Sequence, residues 1–287
     1  MAMLASTIDG MIGVDTHRDT LAAAATNPVG GLLGQTSVSA DAAGYRHLLE
    51  FAQAQVPGRR CWAVEGAGSY GAGLAAFLQT RGKRVVEVGR PKRPPRRSVA
   101  KSDALDAVRA AREALAHDHP LSPRRRGDRE ALRVLLATRH SACSAKVSAI
   151  NQLKALVVGA PEELRAELRG LATKRQIARC ATFRDRPARS LEHRMTVRAL
   201  RCTAHRIQLL AAEAAGLRAE LERLVAAVAP WLLELPGVGP ISAAQVLVSW
   251  SHAGRLRSDA AFAALAGANP IPGVLRAGHA PPAEPRR

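Results

Sequence analysis

Aromatic residues and cysteines are both scarce in this chain of 287 residues. Phenylalanine, tyrosine and tryptophan together make up 3% of it, which disfavours proteins that bind nucleic acid by stacking bases on aromatic side chains. The four cysteines form no CxxC pair and have no metal-finger spacing: Cys61, Cys143, Cys180 and Cys202. We therefore expect reduced thiols, as in a cytoplasmic protein.

Long hydrophobic runs are also missing. No uninterrupted apolar stretch approaches the ~20 residues that cross a bilayer as a helix, so we expect no membrane span. At the N-terminus, Asp9 and Asp15 come too early for the apolar core of a signal peptide. These two absences also favour a cytoplasmic location.

Acidic residues are few beside basic ones. The chain has 24 Asp and Glu against 42 Lys and Arg, a formal net charge of +18. Such a charge suggests a polyanionic partner, because neutralising phosphates releases condensed counterions. It does not by itself distinguish DNA from RNA, or either from an anionic membrane surface. Apolar residues make up 47%, which is enough for a folded core.

The N-terminal part alternates short apolar runs with helical patterns. The runs predict strands at Met11–Val14, Leu21–Ala25, Leu32–Val38, Arg60–Val64 and Arg84–Val88. Helices are predicted over Ala42–Gln55, Tyr70–Thr80 and Asp103–Ala116. This alternation predicts an α/β domain with a central sheet.

From Arg129 onward the apolar period becomes helical. One stripe contains Leu132, Leu136, Cys143, Val147, Ile150, Leu153 and Leu156 or Val157. A second steps alternately by three and four residues, which is typical of a coiled-coil seam: Ile207, Leu210, Ala214, Leu217, Leu221, Leu224 and Val228. Both an antiparallel helical hairpin and an intermolecular coiled coil fit the stripes. The arginine-rich segment Thr173–Arg198 between them predicts a basic loop or a broken helix.

Two further segments are candidates for nucleic-acid binding. Gly237 and Gly239 precede a helical pattern at Ile241–Val248, as in a helix-hairpin-helix motif whose backbone N–H groups hold a phosphate. An ordinary turn between helices is the alternative. The second segment is basic and proline-rich, and is either a solvated loop or a phosphate-contacting arm. Its candidate residues, with one nearby lysine, are Arg90, Lys92, Arg93, Arg96, Arg97 and Lys101.

Four carboxylates stand where an α/β fold builds its sites. Asp15 and Glu65 end predicted strands, while Asp103 and Asp106 share one face at the start of a predicted helix. Together they could bracket two hard divalent cations, which prefer oxygen ligands and stabilise phosphoryl displacement. Each is alternatively a cap or turn residue. His17 could be a ligand or an acid, but a histidine in a surface turn is the simpler interpretation.

These motifs and several others closely resemble those of the DEDD transposases of insertion-sequence family 110. The resemblance extends in order to Pro272 and rests on the segments at 12–19, 63–71, 101–107, 151–156, 160–162, 235–240, 258–262 and 267–272. It implies an RNase H-like (RuvC-like) DEDD domain at residues 1–125 and a helical coiled-coil and basic linker region at 126–229. A partial helical transposase domain, with the helix-hairpin-helix motif, would follow at 230–272.

The resemblance also implies a mechanism. Asp15, Glu65, Asp103 and Asp106 would form a magnesium-binding catalytic tetrad. The family recombines DNA as a homo-oligomer, guided by a structured RNA. A serine of its C-terminal domain attacks the DNA and forms a 5′-phosphoserine link.

The C-terminus departs from the family pattern. Members continue after the Pro-Ile-Pro run with Ala-Ser-Ser-Gly, whereas no serine follows Ser258 here, so we assign no nucleophilic serine. Codons compatible with residues 273–286, read one base later, encode a family-like continuation beginning Ala-Ser-Ser-Gly. We therefore expect that a frameshift near Pro272 produced residues 273–287 and inactivated this copy for recombination.

Three functions thus remain open from the sequence. The first is a DNA transposase or recombinase whose present copy is inactive. The second is a non-catalytic nucleic-acid-binding remnant. The third is a metal-dependent nuclease or junction resolvase, since cleavage by metal-activated water needs only the carboxylates.

The basic segment Arg90–Arg97 gives the first testable prediction. If it contacts phosphates, neutralising four of its arginines and lysines should flatten the slope of log K against log salt by up to ~0.9 per lost contact on duplex DNA. Binding measured by fluorescence anisotropy at several salt concentrations checks this. An unaltered slope would identify the segment as a solvated loop.

Overall fold

The structure, a computed structural model, describes residues 4–89, 103–117, 120–124, 126–256 and 258–268. Within them a short 3-10 turn at Leu4–Thr7 precedes five strands: β1 (Gly10–Thr16), β2 (Thr20–Thr26), β3 (Leu32–Ser39), β4 (Arg60–Glu65) and β5 (Arg84–Val88). Three helices complete the N-terminal part: α1 (Ala42–Gln55), α2 (Ala72–Gln79) and α3 (Asp103–Ala116). The remaining helices are α4 (Asp128–Val158), α5 (Glu162–Leu168), α6 (Thr173–Ala181), α7 (Leu191–Val228), α8 (Trp231–Glu234), α9 (Pro240–Trp250) and α10 (Asp259–Leu265).

The strands form one mixed sheet in the order β3-β2-β1-β4-β5. β1 pairs with β2 and β2 with β3 in antiparallel register, whereas β1, β4 and β5 run parallel. The central strand β1 is buried along its whole length, while the edge strand β3 is partly exposed. The predicted α/β class is confirmed, and the mixed sheet with its helices is consistent with an RNase H-like domain.

Helices cover both faces of the sheet. On one face, Leu48 of α1 and Leu74 and Leu78 of α2 pack with Trp62 of β4. On the other, α3 presents a face of small buried residues: Ala107, Ala110, Ala111 and Ala114. This face lies against β1 so closely that a Cβ atom at Gly13 would stand 2.1 Å from the backbone oxygen of Ala107. Glycine at position 13 is therefore what lets α3 lie directly on the sheet.

The two long helices form an antiparallel hairpin within one chain. Near its open end Leu132 of α4 packs with Leu221 and Val225 of α7, and near the turn Leu153 packs with Leu200. The sequence left open a hairpin within one chain and a coiled coil between chains. The contacts that the structure describes lie within one chain. A coiled-coil geometry stays a prediction.

The buried seam differs in part from the predicted stripes. On α7, Ile207, Ala214 and Leu221 are buried as predicted, but Val228 is exposed. On α4, Leu132, Leu153 and Val157 are buried as predicted. Val147 is exposed, whereas Ala142 and Ala149, which lie outside the predicted stripe, are buried. Larger side chains were predicted at the seam. In the structure, small alanines lie there, and they allow the two helices to approach closely.

The segment between the long helices is a broken helix, one of the two predicted forms. α6 covers its first part, residues 182–190 connect, and α7 begins at Leu191. At the other end of the hairpin, Ala243, Ala244 and Val248 of α9 pack against α4 and α7. Arg255 contacts Glu87 of β5 at 3.0 Å and so joins the C-terminal segment to the sheet.

Among the helices described, none is both long and apolar enough to cross a membrane. All four cysteines are unpaired. Residues 273–287, which we expect to be a frameshifted tail, lie outside the described part of the chain, so that expectation stays a prediction.

The contact at Gly13 yields a stability prediction. Gly13→Ala should lower the free energy of unfolding by about 1–3 kcal/mol, because its methyl group would overlap the backbone of α3 and force the helix off the sheet. Gly216→Ala is the matched control, since in the described part of the chain nothing lies within 4 Å of a Cβ atom there and alanine favours a helix. Urea denaturation of the three proteins checks this. A Gly13→Ala protein as stable as the control would contradict the packing described.

Candidate metal centre

Asp15 and Glu65 lie side by side at one edge of the sheet. β1 and β4 are parallel neighbours, and their register pairs Val14 with Val64, so the next residue on each strand is one of these acids. The hydroxyl of Thr16 donates a hydrogen bond of 2.9 Å to the backbone oxygen of Glu65. The ends of the two strands are thereby joined as the sequence predicts from their carboxyl-edge positions.

Asp103 and Asp106 approach the same edge from the first turn of α3. Asp106 contacts Arg109 Nη1 at 2.6 Å through its Oδ1 atom, three residues along the same helix, so this arginine orients the carboxylate. Both acids also stand at the positive end of the helix dipole, which stabilises negative charge. Because Gly13 lets α3 lie against β1, this turn comes near Asp15.

His17 lies between two of the carboxylates. Its Nε2 atom is 3.4 Å from Asp15 Oδ2 and 3.3 Å from Asp103 Oδ1. One ligand atom of each of these three residues lies within 4.8 Å of the others. The backbone N–H of His17 donates to Thr20 in the β1–β2 turn, so the residue is in a turn, as the sequence analysis favoured. The turn, however, directs its side chain to the acids.

Burial and mutual repulsion shape the electrostatics of Asp15. Asp15 is only 7% exposed. This burial is the main reason that the pKa of its carboxyl is raised. His17 opposes the rise in pKa, while the nearby negative charges of Asp106 and Asp103 add to it. The negative charges of Asp103 and Asp106 therefore add to burial in disfavouring the ionised form of Asp15.

These residues fit a hard divalent cation. The carboxylate oxygens are its preferred ligands. A bound cation would also stabilise the ionised form of Asp15, which burial and the neighbouring acids disfavour. The Nε2 atom of His17 is buried and, among the residues described, accepts and donates no hydrogen bond. Since it lies within 3.4 Å of oxygens of Asp15 and Asp103, it borders the place where a cation would bind.

The predicted site residues have different outcomes. The structure brings Asp15, Asp103 and Asp106 together, with Glu65 on the neighbouring strand end. His17 was interpreted as a surface-turn residue, but its side chain lies among the acids. Arg109 was not predicted; the signal for it was the spacing of three residues between Asp106 and Arg109 on a predicted helix. The basic candidates lie outside the described residues, and their role stays a prediction: Arg90, Lys92, Arg93, Arg96, Arg97 and Lys101.

The two glycines of the predicted hairpin motif lie between α8 and α9. Gly237 has a φ of +80°, a conformation that glycine adopts without strain. Among the described residues, no atom lies within 4 Å of where a Cβ atom would stand at Gly237 or Gly239, so this part of the turn has open space beside it. A helix-hairpin-helix role for it is still a prediction.

Comparison with known proteins gives two family matches. The model of the DEDD transposases of IS110 matches residues 12–160, a range that includes all four carboxylates. The model described as the transposase IS116/IS110/IS902 family matches residues 229–273. A search of curated proteins found no match.

Asp15→Asn should have two opposite effects. It should abolish or strongly weaken Mg²⁺ or Mn²⁺ binding, because a ligand charge is lost. In EDTA at neutral pH it should stabilise the protein, because the pKa of Asp15 is raised and its charged form is disfavoured in the folded state. The advantage should shrink as the pH falls through the raised pKa toward 3.8, since the folded protein then binds the proton first.

Calorimetric metal titration and thermal unfolding at several pH values measure both effects. Asp19→Asn is the control, because Asp19 is exposed and pairs with Arg18. Unchanged metal affinity in Asp15→Asn would remove this residue from the centre.

Proposed function

The chain belongs to the IS110 family of transposases, and on that premise we propose that it acts on DNA phosphodiesters through a magnesium centre. The proposed ligands are Asp15, Glu65, Asp103 and Asp106. The observation that supports this most is the convergence of two strand ends and one helix start, within the matched family range, on four carboxylates. Of these, Asp15 is buried and is repelled by Asp103 and Asp106.

Two Mg²⁺ ions would supply the chemistry by stabilising the attacking and leaving oxygens of an in-line displacement at phosphorus. The protein's own groups hold the ligands in place. Arg109 orients Asp106, and Thr16 joins β1 to the backbone of Glu65. His17 stands between Asp15 and Asp103, with its Nε2 atom 3.4 Å and 3.3 Å from their oxygens.

The partners follow from the family. DNA is the substrate that a transposase implies. We further propose a structured guide RNA and a homo-oligomer, in the cytoplasm, on the resemblance of the motifs. The net charge of +18 supports a polyanionic partner.

A second candidate function is a metal-dependent nuclease or junction resolvase. What favours it is that the carboxylate centre lies within one domain and needs no serine for attack by water. A non-catalytic nucleic-acid binder is the third alternative. We assign no residue of this chain as the nucleophilic serine and propose that the copy is inactive in recombination.

One experiment separates these functions. The chain is incubated with supercoiled DNA and Mg²⁺ or Mn²⁺, and the products are examined for nicks and for DNA covalently attached to protein. Metal-dependent nicking without attachment supports the nuclease, attachment supports a competent recombinase, and binding alone supports the remnant.

Glu65→Gln should reduce any metal-dependent cleavage by about 100-fold or more, since even residues that only support metal ligands are worth 10–100-fold. Glu50→Gln is the matched control, because Glu50 is an exposed residue of α1. Cleavage that survives in Glu65→Gln but depends on metal would mean that another centre performs it.

A further inference from the structure

The turn end of the helical hairpin is strongly basic. We name residues 154–206 the hairpin tip; it contains the end of α4, all of α5 and α6, and the start of α7. Thirteen Lys and Arg stand against five Asp and Glu there, a net charge of +8. This is nearly half of the chain's net charge in less than a fifth of its residues. α4 alone has 31 residues, about 46 Å of helix, so the tip is remote from the open end of the hairpin.

A cleft of about 340 Å³ lies in the hairpin tip between α5, α6 and α7. Four arginines line it: Arg179, Arg184, Arg186 and Arg189. Arg179 contacts Glu167 and lies 5.2 Å above the ring of Phe183, and Arg189 contacts Glu163 at 2.8 Å. These two arginines are thus already neutralised and positioned.

The other two arginines have their charge available. Arg184 and Arg186 are exposed, and in the part of the chain described neither forms an ion pair with a carboxylate. Asp185, the acid between them, is held instead by Arg194 through a pair of 2.9 Å hydrogen bonds. Arg194 also lowers the pKa of the Asp185 carboxyl, so this acid does not compete for an anion as a free group would.

His193 also lines this cleft. Its Nδ1 atom is buried and has no hydrogen-bond partner among the described residues. A buried polar atom without a partner costs free energy. A phosphate oxygen entering the cleft would supply the missing partner.

A second cleft on the tip extends the positive surface. It lies between the end of α4, α5 and α6, and the charged residues among its described lining are Lys154, Arg165 and Arg169. Of these, Arg165 forms an ion pair with Glu162. Two basic clefts on one tip suit a chain of phosphates better than a single anion, since each phosphate along the chain meets its own cations.

We propose that the hairpin tip binds the sugar–phosphate backbone of a nucleic acid, with Arg184 and Arg186 as the contacting cations of the first cleft. This site is separate from the carboxylate centre and needs no metal. It goes beyond the proposed cleavage function, because the tip would hold nucleic acid whether or not the carboxylates cleave it.

The test compares two double variants of the full chain in EDTA. The tip variant is Arg184→Ala with Arg186→Ala. The control is Arg218→Ala with Arg223→Ala, which removes the same charge from exposed positions near the other end of α7. Circular dichroism confirms that each folds. Anisotropy then measures binding to a labelled DNA duplex and an RNA hairpin of matching sequence at several KCl concentrations.

The tip variant should bind at least about tenfold more weakly at low salt, with a slope of log K against log salt shallower by up to ~1.8 on the DNA duplex. A loss on DNA, on RNA or on both supports the proposal and identifies the source of the phosphates. Affinities and slopes equal to those of the control on both probes would overturn it. Binding to anionic lipid vesicles is measured for the same two variants. If the tip variant binds vesicles more weakly than the control but binds both nucleic-acid probes equally well, the proposal is also overturned.

The outcome is independent of the carboxylate centre. A failure of the Glu65→Gln experiment concerns cleavage in the presence of metal and leaves binding in EDTA unaffected. The two proposals therefore fail separately.

Discussion

Helix α3 lies on strand β1 without a side chain between their backbones, and the candidate metal centre depends on this contact. A Cβ atom at Gly13 would meet α3 at Ala107 and Ala111. Because the helix lies so close, its first turn brings Asp103 and Asp106 to the end of the strand that bears Asp15. A larger residue at position 13 would move two acids away from the third. The packing of small residues one and two turns along α3 from Asp103 thus sets the geometry of the charged groups.

Because α3 lies so close to β1, its acids also raise the pKa of Asp15. Asp15 is buried on the central strand, and the acids of α3 add repulsion, so its ionised form is disfavoured. Protein stability alone would not favour such a cluster, and a function for it is the simplest account. His17 and Arg109 each contact a carboxylate and compensate in part. The distant basic tip has the opposite character, with excess positive charge that a polyanion would neutralise.

The sequence predicted the fold class well, and the four candidate carboxylates lie on the elements that it predicted for them; their role as a site stays a prediction. Apolar runs that end in Asp15 and Glu65 mark strands whose carboxyl ends meet at one edge, and the spacing of Asp103 and Asp106 marks one helix face. What it could not predict depends on three-dimensional proximity. His17 reads as a turn residue until the turn is seen to face α3, and the seam alanines Ala142 and Ala149 show no strong hydrophobic signal. Thr173–Arg198 was predicted as a basic loop or a broken helix, but not its ion pairs, since the pairing of Asp185 with Arg194 depends on how the chain folds back.

The central claim is that the carboxylates at the end of β1 and the start of α3 hold a divalent cation. Anomalous diffraction from crystals of the full chain soaked in Mn²⁺ tests it most directly, because the metal's position is seen without reference to activity. The account predicts an anomalous peak within ligand distance, about 2.0–2.3 Å, of oxygens of Asp15 and Asp103. Density for ordered side chains at this edge with no Mn²⁺ peak between them, at saturating metal, would contradict it.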